Sequence, residues 1–402
     1  MSGTEAIIKH LNEILDKEKN LAEVLQRSLV KARQVAQADL RPDLFDALEW
    51  PQNFEEYEAY LSRFVRWVPR QADSPPWQRL AADERHAKEV SDRMSHFFWL
   101  VDQKVDDDDG AVPQSFDVFK EWLNEFARRW GNFLDTTESF SPETLQSFID
   151  NAPEYRVHES MINGKPNMPS GWLTFNQFFQ FFARELNAGL RPISEPGSNL
   201  VVTCPADCIF QHQYDIDAES NIPATTIKHS HKYGNIKQLL EGSEYADSFA
   251  GGTFVHYELL PSSYHRYHLP VSGEVKESFV IHGKVYQQVD LVNGEIESSD
   301  TATTGYEFFQ TRGVVTIDTS ASDGGDLGIV AVVPVGMAQV ASVNLTAVEG
   351  TRLYKRQQFG YFQFGGSDII VLFQPGVEVQ VDTGEQYRLV GTPIARCRPR
   401  SA

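Results

Sequence analysis

The chain has 402 residues, 41% apolar and 12% aromatic, enough for a sizeable core in two or three domains and too apolar for wholesale disorder. Its 56 acidic side chains outnumber 36 basic ones, and the formal net charge of -20 makes nucleic acid and anionic membrane surfaces poor partners without a local basic patch. Three cysteines, Cys204, Cys208 and Cys397, are too few for a disulfide framework and suit a reducing, cytoplasmic compartment.

In chain order, Ile7, Leu11, Ile14, Leu15, Leu21, Leu25 and Leu29 recur at helical spacing and predict an amphipathic helix over 4–36. Acids at Glu5, Glu13, Asp16 and Glu18 argue against a transit peptide, and no run of apolar residues is long enough for a membrane span. The same mixed pattern predicts helices within 54–67, 78–103 and 116–130, interrupted by Pro51, by Pro75 and Pro76, and by the acidic run Asp106–Asp109. That run reads as a solvated loop, because it lacks the spaced ligands and distal glutamate of a calcium loop. Ser141 before Pro142 reads as a capped helix start, and Thr174 with Gln177 as a capping box opening a helix that Gly189 and Pro192 close. From about 199 the pattern becomes that of strands: 201–202, 271–275, 285–289, 313–317, 327–335, a continuously apolar 369–373 and an alternating 377–381. The expected fold is α+β, a helical N-terminal accessory domain over 1–150 followed by a β-rich catalytic domain over 151–402.

Six of the eleven histidines fall within 229–282. As a cluster, which includes His256, they are candidate acid/base groups, but His229, His231 and His282 read as half-buried polar residues. His265 and His268 sit in LLPSSYHRYHLPVSG, a short connector held between Pro261 and Pro270, where residues three apart can present to one cleft as acid and base. In FQFGGSDIIVLFQPG a Gly-Gly-Ser turn feeds a buried strand. Alone it is an ordinary tight turn. At the mouth of a locked strand, however, the Ser367 hydroxyl can approach the Gly366 carbonyl without a side-chain clash, as an N-to-O acyl shift requires. Asp207, in CPADC, is by itself an ordinary turn aspartate. Cys204 and Cys208 read as small buried residues, with no second pair to complete a zinc site and no metal expected.

Together these motifs resemble the phosphatidylserine decarboxylase family. FFARELNAGLRPI is similar to that family's FFxRxLxxGxRPI, CPADC to its SPADG, the YHRYH segment to its YHRxH, and FGGSDIIVLF to its GST-plus-strand ending. The order is the same over roughly 172–376. The resemblance implies a proenzyme that cuts itself between Gly366 and Ser367 and converts Ser367 to a pyruvoyl cofactor. The two chains, 1–366 and 367–402, would stay associated. It further implies that Asp207, His268 and Ser367 form the processing triad, with His268 taking the serine proton and Asp207 orienting it. The pyruvoyl ketone would form a Schiff base with a substrate amine and accept the electrons released as carbon dioxide leaves, His265 reprotonating the product carbon. Four positions depart from the family: Asp368 for threonine, Ser263 for aspartate before the YH pair, and Cys204 and Cys208 for the serine and glycine of SPADG.

No anchor for a bilayer is legible, and the charge opposes anionic lipid. The chain resembles the soluble fungal branch of the family that decarboxylates tryptophan and other free aromatic amino acids. The expected reaction is therefore decarboxylation of such an amino acid, with phosphatidylserine decarboxylation as the alternative and a non-enzymatic binding relative as the second. One intact band on a denaturing gel marks the binding relative, and a long and a short fragment mark the enzyme.

Overall fold

Periodic apolar positions in the first third of the chain become buried helix faces. The computed structural model describes residues 3–78, 88–105, 111–168, 170–179, 185–227, 231–298, 305–337, 342–363 and 367–399. The expected single helix over 4–36 is two helices, Gly3–Lys17 and Lys19–Asp39, parted at Glu18, whose φ of -100° and ψ of 74° are not helical. Ile7, Leu11, Leu21, Leu25 and Leu29 are nonetheless all buried, so the break leaves the apolar faces covered. Of the helix expected within 78–103, the described part is Glu89–Trp99, preceded by a short 3-10 turn at Pro75–Trp77. Ser141 caps Pro142–Asn151 as expected, accepting from the Thr144 amide at 3.2 Å. Thr174 caps Phe175–Phe179 by accepting from the Gln177 amide at 3.0 Å. Aromatic rings fill this unit: Phe64 meets Phe97 at 4.9 Å and Trp130 at 5.4 Å, and Trp122 fixes the first helix by donating to the Ile7 carbonyl at 3.0 Å.

The chain divides into two compact units, but not at residue 150. The first comprises Met1–Phe178 and also Lys284–Asp300, and the second comprises Phe179–Gly283 and Thr301–Ala402. The hairpin of Val289–Val292 and Glu295–Ser298 therefore belongs to the helical unit. This accounts for the strand expected at 285–289. The Val285 amide bonds to Asn124 at 2.7 Å, and the Gln287 carbonyl accepts from Gln114 at 3.0 Å, so these residues serve the helices and pairing begins only at Val289.

The second unit is built on a seven-stranded antiparallel sheet, in the order Arg352–Leu353, Gly273–Ile281, Arg312–Asp318, Ile329–Gly336, Ser367–Phe373, Thr253–Leu259, Ile209–Asp215. Ser367–Phe373 is flanked on both sides, and all seven of its residues are buried. That explains its unbroken apolar text, since a strand covered on both faces has no wet side. Ile369, Val371 and Phe373 face a cluster with Tyr257, Leu259, Tyr267, Phe359 and Phe362. Ile370 and Leu372 face the opposite cluster, with Phe254, Val314 and Val333. Each such side chain contributes about 1.5–3 kcal/mol by leaving water, which locks the register of the strand that Ser367 begins. The unit also holds two three-stranded sheets, one of Val343–Leu345, Gln358–Phe362 and Arg266–His268, the other of Val377–Val381, Pro393–Pro399 and Val201–Thr203, and a two-stranded one of Asn221–Ile227 and His231–Asn235. Gly360 admits no side chain: a Cβ there would collide with the Tyr267 ring and the Asn344 carbonyl. The architecture is the expected α+β, helices first and strands after.

Candidate active site

Ser367 enters its strand with its side chain on the Ile369 face. It is fully buried, and its Oγ has no hydrogen-bond partner. A buried hydroxyl normally finds a partner, because an unmade hydrogen bond costs about 1–3 kcal/mol. This one is committed to no structural bond, which fits a precursor whose hydroxyl must attack. Gly366, on the other side of the expected scissile bond, lies outside the described residues, as do His229, the Asp106–Asp109 run and 181–184 of the FFARELNAGLRPI motif.

His265 is fully buried, and its ring meets Phe362 edge-on at 5.9 Å, within the cluster that Ser367 faces. Its Nδ1 lies 2.9 Å from the Ser263 carbonyl. A carbonyl only accepts, so Nδ1 carries the proton and Nε2 is the basic nitrogen. This contact uses the Ser263 backbone, which any residue at 263 would supply. His268 lines a cleft of about 240 Å3 with Arg191, Tyr264, Arg266, Arg356 and Gln358. Its Nδ1 donates to the Arg356 carbonyl at 2.7 Å, and its Nε2 accepts from the Tyr264 hydroxyl at 3.1 Å. Burial above all lowers its pKa to about 4, with the Arg356, Arg266 and Arg191 charges acting the same way. The ring is therefore neutral at pH 7, the form a general base requires.

The structure does not join Asp207 to His268 by a hydrogen bond as the expected triad requires. The Asp207 carboxylate takes the Arg191 guanidinium, at 3.0 Å from Nε and 2.6 Å from Nη2, and the Val390 amide at 2.7 Å. Both charged side chains are almost wholly buried, and a bidentate guanidinium satisfies a carboxylate in a way an imidazole cannot. The connection to His268 runs through other groups. Arg191 lies over the Tyr264 ring at 5.9 Å, Tyr264 reaches His268, and the His268 amide donates to the Pro205 carbonyl at 2.7 Å, within the Asp207 loop. The flanking Cys204 and Cys208 are buried free thiols with Sγ atoms 3.1 Å apart.

Asp368 points to the opposite face from Ser367 and is fully buried. Its carboxylate accepts from the Tyr306 hydroxyl and lies 3.4 Å from His256 Nε2. Glu258 stands directly across from it on the neighbouring strand. Burial, then the Asp368 charge, push Glu258 up to about 7, and burial pushes Glu307 up to about 7 against the pull of His256. The network of Tyr306, His256 and Glu258 anchors the residue next to Ser367. Spacing gave no sign of this group, because Tyr306, the strand carrying His256 and Glu258, and Asp368 lie far apart in the chain. Only His256 was a candidate.

Glu307 makes stability depend on pH with a fixed sign. Its folded pKa of about 7 lies above the ordinary 4.5, so its share of stability is full below pH 4.5 and is lost as pH rises through 7. That loss amounts to about 3 kcal/mol. Glu307→Gln is expected to remove this share of the decline between pH 5 and pH 8 in chemical unfolding. An undiminished decline would show that Glu307 is not its source.

The family model described as phosphatidylserine decarboxylase matches residues 178–395, just over half of the chain. Phosphatidylserine decarboxylase proenzyme 2 of Oryza sativa subsp. japonica is 29% identical over 257 residues, 63% of this chain and 37% of the rice protein. Phosphatidylserine decarboxylase proenzyme of Clostridium perfringens is 28% identical over 265 residues, 66% of this chain and 80% of that protein. Decarboxylase iboD of Amanita muscaria is 25% identical over 287 residues, 64% of this chain and 77% of that protein. The chain thus spans little more than a third of the rice relative, but most of the clostridial and Amanita ones.

Proposed function

Because the chain belongs to the phosphatidylserine decarboxylase family, we propose that it is a self-processing decarboxylase whose Ser367 becomes a pyruvoyl group. The observation that carries this reading is the buried, unpartnered Ser367 Oγ at the mouth of a locked strand. In processing, Ser367 Oγ attacks the Gly366 carbonyl carbon. The C–O ester bond forms as the C–N peptide bond breaks, and the proton passes through a base to the freed nitrogen. Loss of the 367 α-proton then expels the Gly366 carboxylate and leaves dehydroalanine. Water hydrolyses this to the keto group and releases ammonia. The resulting carbonyl supplies an electron sink for loss of carbon dioxide from an amine-bearing acid.

His268, neutral and partnered by Tyr264, serves as the processing base. Asp207 supports it through Arg191 and Tyr264. His265, whose tautomer the Ser263 carbonyl fixes, returns a proton to the product carbon. His268→Ala is expected to remain a single chain. His265→Ala should still divide but turn over about 10²–10⁴-fold more slowly, the usual share of a positioned acid. Denaturing gels with single-turnover assays read both, and an uncut His265→Ala chain reverses the two roles.

The substrate reading is a free, aromatic amino acid, tryptophan first. In its support stand the net charge of -20, the absence among the described residues of any helix long and apolar enough to cross a membrane, and a relative named simply as a decarboxylase. One observation favours phosphatidylserine instead: Arg191, Arg266 and Arg356 surround the His268 cleft, and guanidinium groups suit a phosphodiester. Purified protein offered L-tryptophan and phosphatidylserine micelles in parallel decides between them. Tryptamine formed faster than by Ser367→Ala protein supports the first. Phosphatidylethanolamine alone supports the second.

A further inference from the structure

The helical unit carries a cleft that the processing chemistry does not use. It has a volume of about 400 Å3, within the range of small-molecule sites, and Tyr60, Phe64 and Trp67 line it beside His96 and Glu89. Its charges are unevenly matched. Arg63 pairs with Glu49, and Arg93 donates to Glu89 Oε1 at 2.9 Å while lying over the Trp77 ring. Two charged positions are left over. Glu89 is only 4% exposed, yet its Oε2 has no hydrogen-bond partner. Arg70 lines the same cleft, is exposed, and has no acidic partner among the described residues.

An orphaned buried carboxylate oxygen is costly unless something fills the position, and the natural complement is a cation that donates hydrogen bonds. A free guanidinium nearby asks for a carboxylate. The same cleft is lined by flat aromatic rings, which reward another apolar or aromatic group. His96 adds no charge: burial, then the Arg93 charge, hold its pKa down at about 3. One small molecule meets all three demands, a zwitterion with a bulky side chain.

We propose that this cleft is a second amino-acid site, binding a free aromatic amino acid with its ammonium on Glu89, its carboxylate on Arg70 and its side chain against Tyr60, Phe64 and Trp67. The site is independent of residue 367, and its occupant belongs to the chemical class of the leading substrate. It gives the accessory unit a recognition role of its own.

The test uses full-length Ser367→Ala protein, which has no keto group to capture an amine. Calorimetric titration with L-tryptophan and L-phenylalanine is expected to show binding. Arg70→Ala and, separately, Glu89→Gln in that background should each weaken it about tenfold or more. Indole-3-propionate, which lacks the ammonium, and tryptamine, which lacks the carboxylate, should each bind about tenfold more weakly than tryptophan. Arg70 is exposed, so its variant reports on the ligand even if Glu89→Gln unfolds, which circular dichroism would reveal. No binding at millimolar amino acid, or binding that Arg70→Ala leaves unchanged, overturns the proposal. Neither result touches the self-processing reading, which a gel tests separately.

Discussion

Ser367→Ala protein is expected to run as one uncut chain and to decarboxylate nothing above background. The replacement removes one oxygen from a side chain that makes no hydrogen bond and is fully buried, so the fold loses almost nothing. The flanking strands Ile329–Gly336 and Thr253–Leu259 keep their registers, and the Ile369 and Ile370 faces keep their packing. An intact, well-folded but inert chain is the signature of a chemical role. The change is all-or-none because no other side chain can supply a keto group at that position. A divided chain in this variant would place the nucleophile elsewhere.

Arg191→Met is expected to cost about 3–5 kcal/mol of stability, the usual penalty for leaving one member of a buried ion pair without its partner. Asp207 would lose its guanidinium partner while its carboxylate stays almost entirely out of water, with the Val390 amide at 2.7 Å. Adding Asp207→Asn should recover most of the loss, since the side-chain oxygen still accepts from Val390 and no charge is stranded. The comparison belongs in the uncut Ser367→Ala chain, where unfolding is not complicated by two fragments. If Arg191→Met costs less than about 1 kcal/mol, the pair is not the buried anchor described here. The same series separates stability from processing. In an otherwise native chain, Arg191→Met should also slow cleavage, because Arg191 stacks on the tyrosine that reaches His268.

The parts legible in the sequence were those governed by local rules. Continuous apolar text at 369–373 gave the doubly covered strand, and Ser141 and Thr174 marked true helix starts. Motif order nominated Asp207, His265, His268 and Ser367 as site candidates. What stayed hidden was long-range. Nothing local shows that 284–300 leaves the strand-rich unit to be built among helices, so the boundary expected near 150 missed both Phe178 and this excursion. Arg191 stood in plain sight in the RPI motif, but its partner is sixteen residues away through a fold the spacing does not reveal. The Asp368 network is harder still: Tyr306, His256 and Glu258 meet only because three strand and turn segments converge. The departure from threonine at 368 was the one visible hint, and its explanation needed the partners. The orphaned oxygen of Glu89 is likewise a property of packing, invisible in the surrounding text EVSDRMSHFFW.

The account turns on whether the peptide bond before Ser367 becomes a carboxyl end and a ketone. Intact mass spectrometry of the purified protein, before and after borohydride reduction, measures this directly. The prediction is a short fragment spanning 367–402, blocked to Edman sequencing, that is lighter than the serine-started fragment by one ammonia and gains two hydrogens on reduction. A fragment beginning with ordinary serine, or only the uncut chain, would contradict it.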